Sequence, residues 1–302
     1  MQRGAKAMMY PAQSFGYLEM VEGVRQLVGR YSFLSAYVIG ESVMGKPLIA
    51  LRCGSGPRRI HMNGSFHANE WITSALLMRF AADLSAAYSS GEPVCGQQAE
   101  QLCREATLWL VPMVNPDGVE LAQRGAPPTH PWHRQLLEWN GGSERFSGWK
   151  ANIRGVDLND QFPAFWEEEC KRRGVTGPGP RDYPGPYPLS EPEARALARF
   201  TEIMSFDTVL ALHTQGREIY WNYRNYEPAE AEELANRLGR ASGYKPVKLS
   251  GSDAGYKDWF IQQYRRPGFT VEAGFGENPL PMANFDQIYV ELQPLLLEAL
   301  RL

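Results

Sequence analysis

Four short strand-like runs constrain the fold more than any other feature of this chain: Arg58 to Met62, Thr107 to Val114, Thr208 to Leu212 and Phe269 to Glu272. Each is too short for a helix, and the last three are apolar enough for buried strands. Amphipathic stretches of helical period lie between and around them. Tyr17 to Tyr31 carries Met20, Val21, Val24, Leu27 and Val28 on one stripe, and Trp71 to Tyr88 carries Leu76, Leu77, Phe80, Ala81 and Leu84. Ser190-Glu-Pro-Glu opens a further helix with a Ser cap and a proline in its first turn. Pro228 to Ser242 and Phe285 to Leu300 complete the helical set, while Leu34 to Val38, Lys46 to Arg52 and Glu218 to Trp221 read as additional strands. Strands alternating with helices over the whole length predict an α/β fold: one domain with a mixed, mostly parallel twisted sheet flanked by helices. Residues 1–16 read as an N-terminal extension and residues 17–302 as the domain. Asn115-Pro116-Asp117-Gly118 reads as a turn, and Arg124 to Pro188 as a long irregular segment rich in Gly, Pro and Trp, of the kind that serves binding or catalysis.

Composition excludes several functions. The formal charge is -3 over 302 residues, too mild to advertise nucleic acid or an anionic membrane as a partner. No apolar run approaches the roughly 20 residues of a membrane span. Met1 to Gln13 has no apolar core of a secretion signal, so a cytoplasmic location is expected, with cell-wall association if the sequence is part of a longer protein. The four cysteines, Cys53, Cys95, Cys103 and Cys170, form no C-x-x-C pair. Free buried thiols are expected, with a small loop closed by Cys95 and Cys103 as the other reading.

The chemistry-bearing residues fall just past the apolar runs. His67 and Glu70 follow the first run at a three-residue spacing, and both side chains are good zinc donors. Two donors need a third, and a catalytic zinc keeps one further position open. His213 ends the third run, where α/β sheets place binding groups. Glu272 is an ionisable residue in an otherwise apolar strand, costly there unless paired, liganded or used. Gly155-Val156-Asp157-Leu158-Asn159 adds a turn loaded with hydrogen-bonding side chains.

In order along the chain, Phe66-His67-Ala68-Asn69-Glu70, Asn115-Pro116-Asp117-Gly118, Gly155-Val156-Asp157-Leu158-Asn159, His213-Thr214-Gln215 and Thr270-Val271-Glu272 resemble the zinc metallocarboxypeptidases over roughly Tyr17 to Leu302. The resemblance implies one Zn²⁺ ion held by His67, Glu70 and His213. It implies Glu272 as the general base that activates water and shuttles its proton, and Asp157 as the carboxylate that orients His67. The cation for the oxyanion falls at Lys150, with Arg154 as the competing candidate.

Two positions depart from the family. Where its members use arginines to grip a substrate's terminal carboxylate, this chain has Asn69 and Asp160, and an anion there repels that carboxylate. The set His-Ala-Asn-Glu-Trp-Ile-Thr with Gly-Val-Asp-Leu-Asn-Asp-Gln-Phe-Pro-Ala is similar to the bacterial γ-D-glutamyl-L-diamino acid endopeptidase I group. That resemblance implies cleavage between the γ-carboxyl of D-Glu and meso-diaminopimelate in peptidoglycan stem peptides. Asn69, Asn159, Asp160, Tyr256 and Lys257 are the expected substrate contacts, with Asp160 receiving the ammonium of diaminopimelate and Lys257 its carboxylate. The alternatives are a conventional carboxypeptidase and a catalytically silent peptide-binding module.

Overall fold

The computed structural model describes residues 14–302. Eight strands form one sheet: β1 (Ser35–Glu41), β2 (Pro47–Cys53), β3 (Arg58–Gly64), β4 (Ala106–Val111), β5 (Thr208–His213), β6 (Glu218–Tyr220), β7 (Lys245–Val247) and β8 (Gly268–Glu272). The helices are α1 (Tyr17–Arg30), α2 (Ile72–Ser90), α3 (Ala99–Glu105), α4 (Pro116–Arg124), α5 (His133–Trp139), α6 (Trp166–Arg173), α7 (Pro192–Met204), α8 (Ala231–Ser242), α9 (Tyr256–Tyr264) and α10 (Phe285–Ala299). Among the described residues no helix is long and apolar enough to cross a membrane. The expected extension falls on residues 1–13, which lie outside the described residues, and on 14–16, of which Phe15 is buried in the core.

The strand order is β1-β2-β4-β3-β5-β8-β6-β7. β4, β3, β5 and β8 run parallel at the centre, and antiparallel pairs lie toward the edges. The chain leaves β3 toward β4 on one side and later returns to β5 on the other. The strand order therefore reverses direction between β3 and β5, where doubly wound sheets open a crevice at the carboxyl ends of their strands.

Side-chain alternation explains which groups reach that crevice. Ile60, Met62, Leu108, Leu110, Leu210, Leu212, Phe269 and Val271 join the core that holds α1, α2 and α10. Val209 and Ala211 lie in the opposite core with Trp109, Phe200, Phe206 and Phe260. With a period of two, His213 falls on the face of Val209 and Ala211. Strand register sets His213 opposite Glu272 on β8.

Several local readings change. Asn115-Pro116-Asp117-Gly118 is the start of α4: Asn115 accepts the Gly118 N–H at 3.1 Å and Pro116 occupies the first turn, where its missing N–H has no cost. A side chain at position 118 would bring a carbon to 2.6 Å from the Ala151 carbonyl, so only glycine fits. The helix expected to be capped by Ser190 takes Glu191 as its cap residue. The segment expected to be irregular contains α5 and α6.

Gly64 ends β3 with Thr73 Oγ1 2.9 Å and Leu77 Cδ1 3.1 Å from where a β-carbon would stand. Gly64→Ala would displace Thr73, which bonds both the Ser65 N–H and the Glu70 carbonyl. We expect a loss of about 1–3 kcal/mol in urea unfolding, as for other overpacked core sites; an unchanged midpoint would contradict this packing.

Candidate metal centre

His67 stands three residues past the end of β3, and Glu70 sits in a single 3₁₀ turn, Ala68–Glu70, ahead of α2. The turn is fixed from both sides. Thr73 Oγ1 donates to the Glu70 carbonyl at 2.8 Å, and the Ala68 N–H donates to the Lys150 carbonyl at 2.9 Å. Asn115 Nδ2 donates to the carbonyls of Phe66 at 3.0 Å and Ala151 at 3.1 Å. Asn115 thus caps α4 and also joins the His67 segment to the Lys150 segment, a role the sequence reading missed.

The donor atoms of the three predicted ligands converge. His67 Nδ1 lies 2.8 Å from Glu70 Oε1, His213 Nδ1 lies 3.0 Å from Glu70 Oε2, and the two Nδ1 atoms are 3.1 Å apart. All three side chains are buried. For zinc at roughly 2.0–2.1 Å from nitrogen and oxygen donors, a tetrahedral ligand edge is about 3.3 Å. The observed separations are close to that edge. Two imidazole nitrogens and a carboxylate facing one point also match the donor set of a catalytic zinc, so the residues fit the ion. Among the described residues, the other group of three metal-type donors is Asp157, Asp160 and Asp182. That group is threaded by Lys150 and Arg173 and so does not present a site of comparable character.

Asp157 backs the centre. Its Oδ1 lies 3.3 Å from His67 Nε2, and its Oδ2 takes Lys150 Nζ at 2.9 Å. Burial would raise this carboxyl, but Lys150 and His67 together hold it well below the usual range. An ionised Asp157 favours a proton on His67 Nε2 and leaves Nδ1 free to ligate. A further group missed from sequence is Asn278, whose Nδ2 lies 3.3 Å from Glu70 Oε1 and donates to the Thr214 carbonyl at 2.8 Å.

Glu272 lies across the strand pair from His213. Burial pushes its carboxyl up to about 8; His213 pulls it down and the Glu70 anion adds to the rise. Lys150 is also part of the centre, since its charge is felt at Glu70, His213 and Glu272. Burial lowers its ammonium pKa, but Asp157 and Asp160 more than restore it, keeping Lys150 charged.

The remaining expected contacts fare differently. Arg154 lies 3.6 Å from Glu191 in a pocket lined by Trp132, Trp139 and Tyr187, which leaves Lys150 as the cation at the centre. Tyr256 is wholly buried; its ring packs against Phe66 and Phe162 and its hydroxyl pairs with Thr201 at 2.8 Å, so it is a core residue rather than a substrate contact. Lys257 is buried, with Nζ donating to the Asn222 carbonyl at 2.8 Å and to Asp258. Asp160 is engaged by Arg173 at 2.8 and 3.0 Å, so it is not a bare anion. Arg173 comes from the last turn of α6 and also meets Glu169 at 2.8 Å and Asp182 at 3.3 Å. Asn69 is buried with its Oδ1 unpartnered, and Asn159 donates its N–H to Asp157 at 3.1 Å.

This fold and site define a metallopeptidase. Residues 20–288 match the zinc carboxypeptidase family, and the chain belongs to it. It is 49% identical over 290 residues to gamma-D-glutamyl-L-diamino acid endopeptidase 1 of Lysinibacillus sphaericus, covering 96% of this chain and 73% of that protein. It is 42% identical over 281 residues to the uncharacterised protein YqgT of Bacillus subtilis, covering 92% and 74%. Bovine thrombin-activatable fibrinolysis inhibitor superposes with a TM-score of 0.76 at 20% identity, covering 96% of this chain and 97% of that one, a likeness of fold.

Asp157→Asn removes the anion that orders His67 and leaves Lys150 short of its partner. Zinc affinity, measured by competition with a chromophoric chelator, should fall about 10–100-fold. Unchanged affinity would remove Asp157 from the centre.

Proposed function

We propose that this chain hydrolyses the amide between the γ-carboxyl of D-Glu and meso-diaminopimelate in peptidoglycan stem peptides, using one Zn²⁺ held by His67, Glu70 and His213. The observation that carries the reading is a complete hydrolytic set beside two positions without a free cation. A carboxypeptidase grips a terminal carboxylate, yet this chain has Asn69 at one such position and Asp160, already engaged by Arg173, at the other. The 49% identity to a protein named gamma-D-glutamyl-L-diamino acid endopeptidase 1 supports it.

When bound, the metal supplies Lewis acidity to the scissile carbonyl and to water. The chain's own groups do the rest. Glu272, with a carboxyl raised toward neutrality, accepts a proton from the attacking water at one oxygen and delivers it to the departing amine of diaminopimelate. Lys150 places a buried ammonium for the charge that develops on the carbonyl oxygen. A lysine gives charge without the bidentate fork of an arginine. Asp157 holds Lys150 and His67 in place together.

The far end of diaminopimelate is a zwitterion, and a paired wall of opposite charges complements it. In this reading the part-exposed Asp182 carboxylate takes the ammonium and the part-exposed Arg173 guanidinium takes the carboxylate. Asp160 then acts by fixing Arg173 rather than by touching the substrate. Asp182→Asn should reduce the preference for diaminopimelate over lysine at that position about 10-fold in kcat/KM; an unchanged ratio would remove Asp182 from recognition.

Incubation with L-Ala-γ-D-Glu-diaminopimelate, with and without chelator, followed by mass spectrometry, tests the bond cut. Release of L-Ala-D-Glu that chelator abolishes is expected. Failure there, with release of C-terminal residues from blocked dipeptides, would establish the carboxypeptidase reading instead. Glu272→Gln should lower kcat by at least about 10²-fold while zinc content stays at one per chain; loss of zinc would show that Glu272 serves the metal instead.

A further inference from the structure

Two of the four cysteines, far apart in sequence, meet in the core at a distance from the hydrolytic centre. Cys53 ends β2 and Cys103 lies in α3; both are buried, at 5% and 4% exposure, and their sulfurs are 3.7 Å apart. Their backbones are held together independently of the thiols. The Ser55 N–H donates to the Cys103 carbonyl at 2.8 Å. Gly54 packs so closely that an added β-carbon would stand 2.9 Å from that carbonyl and 3.2 Å from Cys103 Cα. The contact is therefore built into the chain path. A disulfide requires a sulfur separation of about 2.05 Å, and here the two sulfurs already face each other across a contact that the backbone fixes. Cys95, the partner of Cys103 in the other sequence reading, is exposed and donates to Gln293 Oε1 instead.

We propose that Cys53 and Cys103 form a structural disulfide when the chain folds in a thiol-oxidising medium. The oxidant is a small-molecule disulfide such as oxidised glutathione. One cysteine thiolate attacks it, forming a mixed disulfide and releasing one thiol. The second cysteine thiolate attacks that mixed disulfide, closing the protein S–S bond and releasing a second thiol. Two electrons and two protons pass from the cysteines to the oxidant. The closed loop, residues 53–103, contains β3 and α2 entire, and hence His67 and Glu70. The cross-link staples both ends of the segment that carries two of the three metal ligands, while leaving the ligands themselves untouched.

The test is a disulfide map of the intact chain folded in an oxidised and reduced glutathione buffer, alkylated without reduction and digested with trypsin. Peptide 53–58 should appear joined to peptide 80–104, two hydrogens lighter than the reduced pair, and the joined species should persist in Cys95→Ala. Full alkylation of Cys53, or a bridge internal to peptide 80–104 through Cys95 and Cys103, would overturn the assignment. Reduction should lower the Tm of the cross-linked protein by about 5 °C, and Cys53→Ala should show no reduction-dependent shift. A Tm that reduction does not move would overturn the stapling role.

Discussion

Two imidazole nitrogens and a carboxylate, all buried, are held within 2.8 to 3.1 Å of one another, and much of the surrounding structure serves to keep them there. Three electron-rich groups so close in a water-poor site repel or compete for one proton unless a cation sits among them. The chain resists relaxation of this arrangement by anchoring each donor to a rigid element. His213 is the last residue of the central strand β5, and His67 is three residues beyond the end of β3. Glu70 sits in a turn sealed by Thr73 at one end and by the Lys150 backbone at the other. The reversal of strand order between β3 and β5 is what brings the two histidines to the same crevice.

Charge is arranged outward from that point in alternating layers. Lys150 and His67 both meet Asp157, so one buried carboxylate holds an imidazole and an ammonium at once. Beyond it, Arg173 in the last turn of α6 gathers Asp160, Glu169 and Asp182. Glu272 stands across the strand pair from His213, and burial raises its carboxyl against the pull of His213 and Lys150.

The grouping of His67, Glu70, His213 and Glu272 was legible in sequence because these polar residues stand at or shortly after strand ends, where they stand out against short hydrophobic stretches. The four central strands and the helix after Glu70 were readable for the same reason. Other features depend on contacts between distant segments. Arg173, Asn278 and the Cys53–Cys103 pair reach their partners through tertiary packing and leave no local signature. Lys150 and Arg154 competed as the cation in the sequence; the fold separates one beside Asp157 from one beside Glu191. Tyr256 was expected among the substrate contacts, whereas helix α9 turns its ring into the core. The Asn115-Pro116-Asp117-Gly118 string looked like a turn because the same residues favour turns and helix starts.

The central claim is a zinc ion bound by two imidazoles and one carboxylate. X-ray absorption at the zinc edge of the metal-loaded protein tests it most directly. One zinc per chain is expected, with only nitrogen and oxygen neighbours at about 2.0–2.1 Å and outer-shell scattering from two imidazole rings. A sulfur neighbour at about 2.3 Å, or a shell without imidazole, would contradict it.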